Sequence, residues 1–279
     1  MWDGAYHFFD YKYNIAGYGR QDYDGPVRTW YLIFCVVTIV LLLILLRNLK
    51  HKHVQRYLRV LAFVMPLLEV TKITWETYWD VTTGRGFNWL GLLPIYTCSV
   101  FLYCLPVAAF NKGKAGDCCR SWIASLGLVG GLSNIIFPQG LRWYPLMTFG
   151  AMYSLSFHYI MVFTALFIVV TEYKRFTFRD ILTGFVPHLL FSIPVIAIDY
   201  IFGWDYMQYY EAGSVPLIED LSERFVAQGM RWLTALVMLA AYFALHAALT
   251  SLYALWSRYR ASRRERLAAA ESSAPVTVS

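Results

Sequence analysis

Residues 58–79 read LRVLAFVMPLLEVTKITWETYW. The first half is apolar enough to sit in lipid, yet Glu69, Lys72 and Glu76 follow within it. Their spacing of three and four residues places all three on one helical face. A charge near a bilayer centre costs at least ~2.5 kcal/mol on insertion scales, so that face must turn inward, toward a polar interior or a water-filled cavity. The stretch therefore predicts a membrane helix with a polar stripe facing its neighbours, and an all-α, polytopic bundle around it.

The rest of the chain agrees. Hydrophobic residues make up 58% of the sequence, charged residues 15% and aromatic residues 18%, which sets it apart from ordinary soluble domains. Apolar runs of membrane-crossing length predict seven spans: Thr29–Leu46, Leu58–Trp79, Trp89–Phe110, Trp122–Phe137, Pro145–Thr171, Ile181–Phe202 and Trp232–Trp256. The fourth is short, and the second is weakened by its charges.

Most of the 24 basic residues lie in alternate loops. Arg47, Lys50, Lys52, Arg56 and Arg59 follow the first span, Lys112, Lys114 and Arg120 the third. Lys174, Arg175 and Arg179 follow the fifth, and Arg258, Arg260, Arg263, Arg264 and Arg266 the seventh. The positive-inside rule then puts the N-terminus outside and the C-terminus inside. The expected organisation is an extracytoplasmic tail over 1–28, a seven-helix domain over 29–257, and a basic, then disordered, cytoplasmic tail over 258–279. In a bacterium the membrane would be the cytoplasmic one. Residues 1–27 lack the apolar core of a signal peptide, and their many aromatic residues are expected to pack over the outer face.

The net charge of +6 is thus a topology signal. It is divided among loops, which argues against a nucleic-acid surface and leaves membrane lipids as the expected partners. No lysine on the seventh span could hold retinal, no histidine–cysteine spacing fits zinc, and no glycine-rich loop cradles phosphate. No cofactor or metal is expected. Of the cysteines, Cys118 and Cys119 fall in a predicted cytoplasmic loop, where they read either as acylation sites or as small residues beside the membrane.

Counting 1.5 Å per residue from the outer end of each span puts Glu69, Cys98, His158 and His188 roughly 14–21 Å deep, near the midplane, with His246 at a similar level. Each also has a structural reading. Glu69 and Lys72 can satisfy one another, His158 can bond a backbone carbonyl, and Cys98 can be a small packing residue. Asp199 sits near the outer end of its span. Gly127 and Gly131 have the spacing of a close helix contact, and Pro66, Pro94, Pro106, Pro187 and Pro194 are expected to kink spans.

Four stretches, LEVTKITW from Leu68, LLPIYTCSVFLYCLP from Leu92, GLVGGLSNIIFP from Gly127 and FHYIMVFTALFIV from Phe157, together resemble the bacterial YwaF-like integral membrane proteins and their eukaryotic relatives of the transmembrane protein 164 type. The resemblance covers roughly residues 58–200. It implies a lipid-remodelling acyltransferase, with a cysteine directly after Pro94 and a histidine at His158. Here Ile95 stands at the cysteine position and Tyr96 where relatives often carry histidine, while Cys98 lies three residues on, near the same helical face. The resemblance then implies Cys98 as nucleophile, His158 as general base and Glu69 as its orienting partner. Lys72 would hold an oxyanion or phosphate, and Tyr96, Asn134 and Asp199 would bind substrate. The alternatives are a carrier or receptor using the Glu69–Lys72–His158 stripe, and a membrane protein in which the polar residues are structural.

Overall fold

The computed structural model describes residues 8–11, 22–213 and 216–272. Among them every regular element is helical. In chain order these are α1 Pro26–Leu46, α2 His51–Thr82, α3 Trp89–Leu92, α4 Val100–Phe110, α5 Lys114–Trp122, α6 Leu128–Ile136, α7 Gln139–Trp143, α8 Phe149–Val170, α9 Asp180–Thr183, α10 Val186–Phe202, α11 Pro216–Ala227 and α12 Trp232–Ser272.

Local chemistry sets several boundaries. Pro26 occupies the first turn of α1, where its missing N–H costs nothing. The Thr148 hydroxyl accepts from the Ala151 amide and opens α8. Gly203, at φ 68°, closes α10 in the left-handed conformation that suits glycine.

Packing is that of a protein whose outside is apolar. Trp122, Phe101, Leu58, Met65 and Leu105 are fully buried between α2, α4, α5 and α8. Leu67 on α2, Leu190 on α10 and Leu45 on α1 instead point outward, as side chains facing lipid do. Five helical stretches are long and apolar enough to cross a membrane: Pro26–Leu46, Lys114–Trp143, Phe149–Val170, Asp180–Phe202 and Trp232–Leu267.

Three expectations about the spans change. The second span is a helix of 32 residues, kept from the long apolar class by its charges. The third is not one helix. Pro94 biases Leu93 toward extended backbone (ψ 125°), and regular structure resumes only in a 3-10 turn, Thr97–Ser99, that leads into α4. The depth counted for Cys98 along a straight helix from Trp89 therefore does not apply. The fourth is longer than its apolar core, because α5 and α6 join through a π-helical turn, Ile123–Gly127, and the polar Lys114–Arg120 segment belongs to the same rod.

Of the prolines, Pro66, Pro106 and Pro194 lie inside helices, whereas Pro187 lies at the start of α10. α12 runs past Trp256 to Ser272, so the basic segment is helical; residues 273–279 lie outside the described residues. Of the aromatic N-terminal tail, Phe8, Phe9, Tyr11 and Tyr23 are described. The Phe9 carbonyl accepts from the indole N–H groups of both Trp75 (2.7 Å) and Trp79 (2.8 Å), which ties that segment to the C-terminal half of α2. Trp2, Tyr6, Tyr13 and Tyr18 lie outside the described residues.

Candidate functional site

The α2 stripe does face inward. Glu69 is buried, and its Oε1 lies 3.3 Å from Lys72 Nζ, which also lies 3.6 Å from Glu76 Oε2. One ammonium thus sits between two carboxylates, each about one helical turn away. The second Glu69 oxygen accepts a hydrogen bond from the Tyr153 hydroxyl of α8, and the Lys72 ammonium lies 5.8 Å from the centre of the same ring. Tyr153 is the residue that sequence reading missed. Nothing in FGAMYSLSFHY marks one tyrosine among apolar neighbours as a carboxylate partner.

Cys98, half-buried in the 3-10 turn, lies within electrostatic reach of both Lys72 and Glu69. A thiolate there would be opposite in sign to the first and like in sign to the second. Neighbouring Thr97 bonds the Tyr242 hydroxyl of α12 at 3.0 Å, which pins the turn. Tyr96 and Glu76 line a polar cavity of about 580 Å³, whose other walls include Asp80, Arg85, Asn88 and Trp204. Trp204 stacks on Tyr206 (5.3 Å, 9° between planes), and Tyr206 meets the Tyr96 ring edge-on at 5.3 Å. Gly91, Leu92 and Tyr96, on either side of the break at Pro94, belong to its wall.

The remaining sequence candidates are placed as follows. Asp199 is fully buried, and its Oδ1 accepts the Tyr206 amide at 3.1 Å. It supports the Trp204–Tyr206 wall from behind, and its Oδ2 has no hydrogen-bond partner among the described residues. His158 is buried on α8, with Nδ1 2.7 Å from its own helix's Ser154 carbonyl and its ring against Phe157. Because a carbonyl only accepts, Nδ1 carries the proton there. None of these contacts joins His158 to Cys98, Glu69 or Lys72. Asn134 on α6 keeps a buried side-chain oxygen without a partner among the described residues, and lies one turn from Gly131.

His188 and His246 belong elsewhere. His188 Nε2 lies 3.2 Å from the Tyr209 hydroxyl. His246 Nδ1 lies 2.6 Å from Ser125 Oγ in the π-helical turn, and its Nε2 lies 3.2 Å from the Asp180 carbonyl. Among the described residues no group of three or more histidine, cysteine or carboxylate side chains is placed to hold a metal ion.

The sequence model of the TMEM164 family matches residues 25–250, a range that contains both carboxylates, Cys98, His158 and the cavity wall apart from Tyr11. The chain belongs to the TMEM164 family. Comparisons with curated proteins and with solved structures gave no match. Membership in this family accords with the apolar helices and makes the chain a multi-pass membrane protein. Within the TMEM164 chain Glu69 bonds Lys72 and Tyr153, Cys98 lies within electrostatic reach of that pair, and His158 bonds a carbonyl of its own helix.

Proposed function

We propose that this TMEM164-family protein crosses the membrane seven times, with its N-terminus outside, and transfers acyl chains on membrane lipids at Cys98. The five long apolar helices, the charged α2 and the broken α3–α4 segment together supply seven crossings, and the alternation of basic loops supplies the orientation. The observation that carries the chemical reading is that the Cys98 thiol lies within electrostatic reach of the Lys72–Glu69 pair, two residues from Tyr96 in the wall of a polar cavity.

In the first half of the reaction the thiol proton passes to the Glu69 carboxylate, and the sulfur attacks the ester carbonyl carbon of a lipid. Lys72 stabilises the developing oxyanion. The C–O bond to the glycerol breaks, the leaving alkoxide takes the proton, and a thioester remains on Cys98. In the second half an acceptor hydroxyl gives its proton to Glu69 and attacks the thioester. The C–S bond breaks and the thiol is restored. The cavity brings water and headgroup to this depth, so an ester need not reach the centre of the bilayer.

The test is incorporation of labelled acyl chains by protein reconstituted in vesicles. Cys98→Ala is expected to abolish turnover, Glu69→Gln to lower it by at least about two orders of magnitude, and His158→Ala to retain most of it. Full turnover in Cys98→Ala would sink the mechanism. The polar cavity lined by Glu76, Asp80 and Arg85 favours one second reading, a carrier for an amphipathic solute. Vesicle uptake that is lost in Glu69→Gln but intact in Cys98→Ala would support it.

A further inference from the structure

At the other end of α2 and α8 the structure carries a second, separate feature. Glu172, just beyond α8, adopts φ 52°, uncommon for a residue with a side chain. In that position its carboxylate accepts Arg260 Nε at 2.8 Å and also bonds the guanidinium of Arg264, one turn further along α12. Both arginine side chains remain about half exposed, at 41% and 53%, and each guanidinium has more N–H donors than its contact with Glu172 uses.

Two adjoining recesses meet at this cluster. One is an apolar trough of about 580 Å³ with walls that include Val169, Val170, Leu252 and Trp256, closed at one end by Arg47 and Arg260. The other, about 250 Å³, shares those two arginines and adds His51, Arg175 and Arg264. Four arginines thus line a recess around one carboxylate, next to an apolar trough. The trough is bounded by the end of α8 and by residues 252–260 of α12, both helices of membrane-crossing length.

We propose that this groove is a binding site for an anionic glycerophospholipid. Its phosphate is held by the arginines, which suit the bidentate geometry of a phosphate. One acyl chain lies along Leu252 and Trp256. Charge complementarity selects the occupant: a zwitterionic lipid brings its own cation to an already cationic end, whereas a net-negative headgroup does not. The site is independent of the acyl-transfer reading, since it shares no residue with the Glu69 cluster.

Native mass spectrometry of the full protein in neutral detergent, titrated with phosphatidylglycerol or phosphatidylcholine, tests the site. Phosphatidylglycerol is expected to bind about tenfold more tightly or better, and Arg47→Gln/Arg175→Gln, which leaves the Glu172 contacts intact, to bring it to the level of phosphatidylcholine. Glu69→Gln should leave the preference unchanged. Equal binding of the two lipids by the parent protein would overturn the proposal, as would undiminished phosphatidylglycerol binding by the double variant. Displacement of the lipid by millimolar inorganic phosphate would overturn its lipid character.

Discussion

Lys72 is the residue on which the polar stripe depends, because it is the cation placed within 4 Å of both Glu69 and Glu76. Removing one member of a buried ion pair leaves an uncompensated charge, whereas removing both ends of a pair leaves a smaller deficit. Lys72→Met is therefore expected to cost roughly 3 kcal/mol, and Glu69→Gln/Lys72→Met clearly less than the sum of its parts. Unfolding midpoints of the two single variants and the double variant in denaturing detergent measure this. Additive costs would mean that the pair is not coupled. The stripe itself was legible in the sequence, since three charges at helical spacing in an apolar run admit few other readings. Its partner was not: the Tyr153 hydroxyl is chosen by how α8 is turned about its axis, which depth along the chain does not contain.

Between elements, the α6–α8 contact shows what spacing can and cannot give. A β-carbon on Gly131 would lie 2.7 Å from Val162 Cγ2 and 3.1 Å from the His158 carbonyl oxygen, whereas one on Gly130 would meet only Met161 Cε at 3.8 Å. Gly131→Ala is thus expected to force the helices apart and to destabilise the protein by roughly 1–3 kcal/mol, with Gly130→Ala near neutral. Thermal shift of the two variants side by side checks the contrast. The glycine spacing announced a close contact, yet not which glycine makes it. The break at Pro94 was harder to see. LLPIYTCS is as apolar as the helices around it, and a hydropathy window averages over the missing N–H of one proline. The π-helical turn at Ile123–Gly127 likewise answers to tertiary partners, His246 against Ser125 among them, and leaves no periodicity to read.

For the molecule as a whole, the loop ends carry both topology and pH response. A single cysteine placed at residue 48 is expected to react with an impermeant maleimide only after the membrane is opened, and one at residue 86 in intact cells. The reverse pattern would invert the orientation proposed above. Glu172 is one contributor to the response to acid. Partial burial raises its proton affinity, but the hydrogen bonds from Arg264 and Arg260 outweigh this and hold the carboxyl below its ordinary value. The folded state then binds fewer protons than the unfolded one. The stabilisation is complete above the ordinary carboxylate value of about 4.3 and is lost as pH falls through the folded value. Glu172→Gln should therefore lower the melting temperature at pH 7 and lower it progressively less below pH ~4. Because both arginines are half exposed, the effect is modest and shrinks in high salt.

All three scales meet at Cys98: a thiol within electrostatic reach of the α2 charges, in the 3-10 turn that follows Pro94, two residues from the cavity wall at Tyr96. Intact-protein mass spectrometry after incubation with a phospholipid bearing a labelled acyl chain tests this most directly. The account predicts an acyl adduct that hydroxylamine removes, absent from Cys98→Ala and present in Cys35→Ala and Cys104→Ala. An adduct that persists in Cys98→Ala, or none on the parent protein under turnover conditions, would contradict it.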